Sequence, residues 1–207
     1  MNLKPSFLNN TNRLSRILHE DFDASRKISQ ELLALLPENQ TQPIVIVCIG
    51  TDRSTGDSLG PLVGTFLQEK AASQFFVYGT LDDPIHAMNM EEKLSEINTI
   101  HMNPFIIGID ACLGRLKSVG IVQVGEGPVK PGAGVNKELP CVGEAHITGI
   151  VNVSGFMEFM VLQNTRLNLV LKMARTIANG VYFAGSQHYR KSSITHLNWA
   201  FEQEKTP

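Results

Sequence analysis

Two aspartates and a histidine stand where this chain is best placed to do chemistry. Asp57 lies just beyond the apolar run Ile44-Val45-Ile46-Val47-Cys48-Ile49, in a polar loop opened by Gly50. Asp110 closes a second apolar run, Pro104-Phe105-Ile106-Ile107-Gly108-Ile109. Apolar runs unbroken by polar residues suit strands buried on both faces, as in a parallel sheet. The carboxyl ends of such strands are where open α/β proteins build their sites. Two carboxylates delivered to one sheet edge suit acid–base chemistry or metal binding. The plainer alternative is that Asp57 caps a helix and Asp110 opens a turn. His146, which begins His146-Ile147-Thr148-Gly149-Ile150-Val151-Asn152-Val153, is the third candidate. A single histidine beside Gly and Thr is more often a hydrogen-bonded structural residue.

Two carboxylates brought close cannot both ionise cheaply, so one pKa rises and the pair shares a proton. One member can then activate water while the other protonates a carbonyl or leaving amine. An apolar helical pattern (Leu59, Leu62, Val63, Phe66, Leu67) starts just past Asp57, which places Asp57 at or near the N-cap and Pro61 in the first turn. A helix N-terminus favours the ionised carboxylate, so Asp57 is the expected base. Gly50 and Gly60 are expected to let a substrate backbone approach, with Thr51 and Asp52 at the edge of the same site. In the alternative, Asp57, Asp110 and His146 supply two oxygens and a nitrogen to a divalent first-row ion.

Other features carry less. The Gly50–Gly56 loop lacks the Gly-Lys-[Ser/Thr] ending of a phosphate loop and any Gly-x-Gly-x-x-Gly. Asp82 and Asp83 suit a turn. Cys112 has no base motif to activate it, and Cys48 sits inside a core strand. The three cysteines show no zinc spacing or disulfide framework, which points to a reducing compartment.

The elements that must position these residues alternate between strand and helix. After an irregular arm over 1–12, apolar residues from Leu14 to Leu36 follow helical spacing and stop at Pro37. A strand and helix fill about 43–72, Phe75–Gly79 reads as a strand, and a helix runs to about Asn98. Gly120–Val124 follows as a strand, then a Gly/Pro-rich loop over 125–143, then His146–Val153 as strand or loop. A helix from about Gly155 to Asn179 and a partly helical 185–204, with Trp199 and Phe201 packing, complete the chain. This order predicts a three-layer α/β fold, with a mostly parallel sheet and helices on both faces. The 207 residues fit one domain, with 1–40 as arm and helix, 43–155 as core and 156–207 as C-terminal helices. With 43% hydrophobic and 18% charged residues and a formal net charge of −2, nothing favours nucleic acid as a partner. No run approaches the ~20 apolar residues of a membrane span, and no signal-like apolar stretch opens the chain. A cytoplasmic location is therefore expected, with oligomeric state open.

Taken together, the motifs resemble one superfamily. Gly50–Pro61, with Asp57-Ser58-Leu59-Gly60-Pro61 opening the helix, looks like the first motif of the spore germination protease. Ile109-Asp110-Ala111 looks like its second aspartate motif, and Gly134-Val135-Asn136-Lys137-Glu138-Leu139 is similar to its glycine-asparagine loop. More distantly, the first motif is similar to that of the hydrogenase maturation proteases, with Gly56 replacing the first acid of their acidic pair and Asp57 matching the second. His146–Val153 resembles their third motif, where the histidine is a metal ligand. The likeness covers about residues 43 to 155, and the short sporulation protein family YyaC is the nearest overall. The resemblance implies an endopeptidase using Asp57 and Asp110 without a cofactor, Asn136 beside a protein or peptide substrate, and a spore-forming cell. It leaves two alternatives, a metal-dependent maturation or sensing protein and a non-catalytic binding module.

Overall fold

The computed structural model describes residues 14–70, 74–132 and 139–203, with side chains to residue 190. The elements are β1 (Leu14–Leu18), α1 (Ala24–Leu33), β2 (Ile44–Cys48), α2 (Leu59–Gln68), β3 (Phe76–Tyr78), α3 (Met90–Ile100), β4 (Phe105–Gly114), β5 (Ile121–Glu126), β6 (Ala145–Val153), α4 (Glu158–Gln163) and α5 (Leu167–Gln203). They build one six-stranded sheet in the order β1-β5-β6-β4-β2-β3. β3, β2, β4 and β6 pair in parallel, while β5 runs antiparallel to both β6 and β1.

β2 explains why its sequence is apolar throughout. Ile44, Ile46 and Cys48 enter the core that α1, α2 and α5 share with one face of the sheet. Val45, Val47 and Ile49 enter a second core on the other face, with Met90 and Ile97 of α3 and with Val129 and Val142. All five β2 residues are buried, as a central strand covered on both faces requires. The predicted three-layer, mostly parallel arrangement is thus the observed one. The α3 face opens toward β1, where Leu14 and Leu18 remain 50% and 44% exposed.

Three expectations are corrected. Leu14–Leu36 is not one helix: β1 pairs with β5 and α1 starts only at Ala24. Leu14, Ile17 and Leu18 have helical spacing, but only Ile17 faces the core, and β5 satisfies the strand's backbone. The expected helix over 155–179 is two, α4 and a much longer α5 that continues to Gln203. They part around Thr165, whose hydroxyl donates to Val161 O (2.9 Å) and accepts from the Asn152 amide (3.2 Å). Finally, β4 does not stop at Asp110 but continues to Gly114. The irregular arm over 1–12 lies outside the described residues, as do the side chains of Trp199 and Phe201.

Candidate active site

Where β2 ends, its backbone is passed to two neighbours. Ile49 N–H donates to Ile109 O (2.7 Å) and Gly50 N–H to Ile85 O (2.8 Å). Gly50 has φ +147°, and a side chain there would run into the carbonyl oxygen of Asp57. Only glycine lets the loop fold back so closely. Thr51 N–H donates to that same carbonyl (3.2 Å), and Ser58 N–H donates to Ser54 O (3.0 Å). Ser58, rather than Asp57, is the residue bounding α2, and Pro61 is in the first turn. The loop is also fastened to α4 through Gly56 N–H to Leu162 O (2.9 Å). A side chain at 56 would strike Leu162, so this backbone has no room for an acid beside Asp57.

Asp110 reaches the same place along a different strand. The β2–β4 ladder ends at Cys48 and Ile109, whereas the β4–β6 ladder goes on with Asp110 opposite Thr148. Asp110 therefore emerges where β2 has turned away, although β4 itself continues. Its Oδ1 accepts the Ala111 N–H (2.8 Å). Asp57 and Asp110 line one cavity of about 180 Å³ with Gly50, Thr51 and His86, closed on its apolar side by Met90, Leu139, Phe159 and Leu162.

Burial sets the electrostatics. Desolvation of the Asp110 carboxyl pushes its pKa up to about 8; the Ala111 hydrogen bond opposes the rise and the Asp57 charge adds to it. Burial also raises Asp57 above the usual carboxylate range. The Ser54 hydroxyl beside it works the other way, although it falls outside hydrogen-bond geometry. The pair is thus arranged to hold a proton near neutral pH, chiefly on Asp110. Burial likewise pushes the Cys112 thiol up to about 11, against a Thr148 hydrogen bond, which keeps it protonated and poorly nucleophilic.

The remaining candidates separate. Gly50 and Thr51 line the cavity, whereas Asp52 is an exposed loop residue beside Thr51. Gly60 is buried against the Ile49 backbone, where it lets α2 press onto the end of β2, and it does not line the cavity. Asn136 lies outside the described residues. His146 Nδ1 stands 2.9 Å from Gly127 O, which fixes the donor on that nitrogen, and the Nε2 end of the ring lies over Gly125 of β5. It thus turns toward β5, away from the Asp57 side of β4. Among the described residues no three His, Cys, Asp or Glu side chains stand close enough together to hold a metal ion. His146 and Asp110 do line one further cavity, together with Thr148, on the β5 side of β4.

His86 is the site residue that sequence reasoning missed. Ile85 bridges to Ile49, and His86 N–H donates to Asn89 Oδ1 (2.8 Å), so its backbone is pinned beside the cavity. Its Nδ1 accepts the Met88 N–H (3.3 Å), which leaves the proton on Nε2. The only hint in sequence is one apolar residue between Pro84 and His86. A larger hollow of about 440 Å³ between α2 and α5 holds no comparable set, because Lys70 stacks over Tyr182 and Arg175 over Phe66.

Fold and site together define an α/β protein with a partly buried aspartate pair at the carboxyl edge of the parallel strands of a mostly parallel sheet. The chain belongs to the family described as "Protein of unknown function (DUF1256)", which matches residues 16–180. It is 52% identical over 198 residues, covering 95% of this chain and 97% of the relative, to "Uncharacterized protein YyaC" of Bacillus subtilis (strain 168). Membership of the YyaC family is therefore established on most of the chain. No helix among the described residues is long and apolar enough to cross a membrane.

Proposed function

We propose that this protein hydrolyses peptide bonds with Asp57 as base and Asp110 as acid. The observation that carries the reading is the shared cavity in which burial and the Asp57 charge keep Asp110 protonated near pH 7. Asp57, the less shifted of the two, takes a proton from water as the water oxygen bonds to the carbonyl carbon. Asp110 then gives its proton to the leaving nitrogen as the C–N bond breaks. The products are a carboxylic acid and an amine, and proton transfer from Asp57 to Asp110 restores the pair. His86 Nε2–H supplies a donor for the oxygen that becomes negative. The resemblance to the germination protease supports the same reaction and makes spore proteins the first substrates to try. The experiment is cleavage of a spore-protein extract and a peptide library by wild type, Asp57→Asn and Asp110→Asn. Loss of cleavage in both variants is expected. Full cleavage by either would remove the pair from the mechanism.

A further inference from the structure

A row of polar side chains crosses the open half of the sheet and ends on Asp110. Arg16 of β1 stands opposite Gln123 of β5, Gln123 opposite Thr148 of β6, and Thr148 opposite Asp110 of β4. Directly paired residues share a face, so all four lie on the α3 side, while Ile17, Val122, Val124 and Ile147 fill the core on the other. Gln123 and Thr148 are part-buried floor residues of a second cavity of about 260 Å³, roofed by Pro128, Val129 and Lys130. Asp110, Ala111, Cys112 and Gly132 line both this cavity and the one holding Asp57. The two hollows therefore meet at Asp110.

Their walls differ in chemistry. On the Asp57 side they are largely apolar, with Met90, Leu139, Phe159 and Leu162. On the far side they are mixed, with Gln123, His146 and Thr148 beside Ala111, Pro128 and Val129, and among the described residues Asp110 is the one carboxylate there. Lys130 borders that side, and the Arg16 charge is felt at Cys112. Strands are about 4.8 Å apart, so the row from Asp110 to Arg16 spans roughly 14 Å, or about four residues of extended chain.

We propose that this second cavity is a binding subsite for an extended polypeptide laid across the strands, with its reacting bond at Asp110. Apolar side chains occupy the Asp57 side, neutral or acidic polar ones lie over Gln123 and Thr148, and Lys130 and Arg16 exclude lysine and arginine there. The inference rests on the peptide reading of the cavity, and it assigns Gln123, Thr148 and Lys130 to specificity rather than to bond breaking.

Fluorescein-labelled ten-residue peptides test it, each with leucine at the centre and three glutamines or three lysines on one flank or the other. Binding is read by anisotropy at low salt on the Asp57→Asn protein, and cleavage is read separately on wild type. For one flank only, the lysine peptide is expected to bind at least ~10-fold more weakly than the glutamine peptide, and Lys130→Glu should shrink that ratio to about 3-fold or less. Thr148→Val, which keeps side-chain shape, should weaken the glutamine peptide without changing the response to lysine. Binding that ignores flank charge overturns the subsite, even if wild type cleaves every peptide. Flank-selective binding without cleavage supports the subsite and sinks the hydrolytic reading. Absence of both binding and cleavage overturns the two together.

Discussion

Asp110 holds its proton because burial strips water from its carboxyl and Asp57 faces the same cavity. Its folded pKa, about 8, lies above the 3.8 of an unperturbed carboxyl, so between those values the folded protein binds more protons than the unfolded chain. The resulting stability is complete below the unfolded value and is lost as pH rises through the folded one. Unfolding in urea should therefore show wild type losing about 1–2 kcal/mol between pH 5.5 and 8.5, the partial opening to the cleft being discounted. Asp110→Asn should flatten that loss and be the more stable protein at pH 8.5; an unchanged slope would show that Asp110 ionises normally. His86 belongs to the same scale. If its Nε2–H serves the developing oxyanion, His86→Ala should lower kcat by roughly 100-fold while KM moves little. A variant that changes only KM would place His86 in binding alone.

Elements position these groups through close backbone contacts. Gly60 lets α2 sit against Ile49, so Gly60→Ala should force the two apart and cost about 1–3 kcal/mol, read as a lower Tm with the pH slope of Asp110 intact. An unchanged Tm would mean that the contact relaxes freely. β2 and the start of β4 were legible because a strand buried on both faces must be apolar at every position, and the Gly50 loop because a run of that kind stops abruptly. β1 was misread because three of its residues have helical spacing, and only the partner β5, about a hundred residues away, makes it a strand. The α4–α5 break was hidden because its cause is Asn152, a β6 side chain that ties to Thr165 and Val161. His86 could not be read from local pattern, since its place depends on Ile85 bridging to Ile49. The Asp57 and Asp110 contexts were readable, but their meeting in one cavity is a fact of the β2–β4 register.

Over the whole molecule, one face of the sheet is closed by α1, α2 and α5, and the other is covered by α3 and the segment carrying Val129 and Val142. That asymmetry leaves the carboxyl edge and the β5–β1 side for a ligand, and it leads the polar row to the aspartate pair. The proposed mechanism requires that pair, without a metal, to be the working unit. The most direct measurement is the rate of peptide cleavage by wild type, Asp57→Asn, Asp110→Asn and His146→Ala, each with and without a strong chelator. The pair mechanism predicts a loss of at least ~1000-fold in either aspartate variant, most of the activity retained in His146→Ala, and no effect of the chelator. Activity that falls in His146→Ala, disappears with chelator and returns with a divalent first-row ion would contradict it.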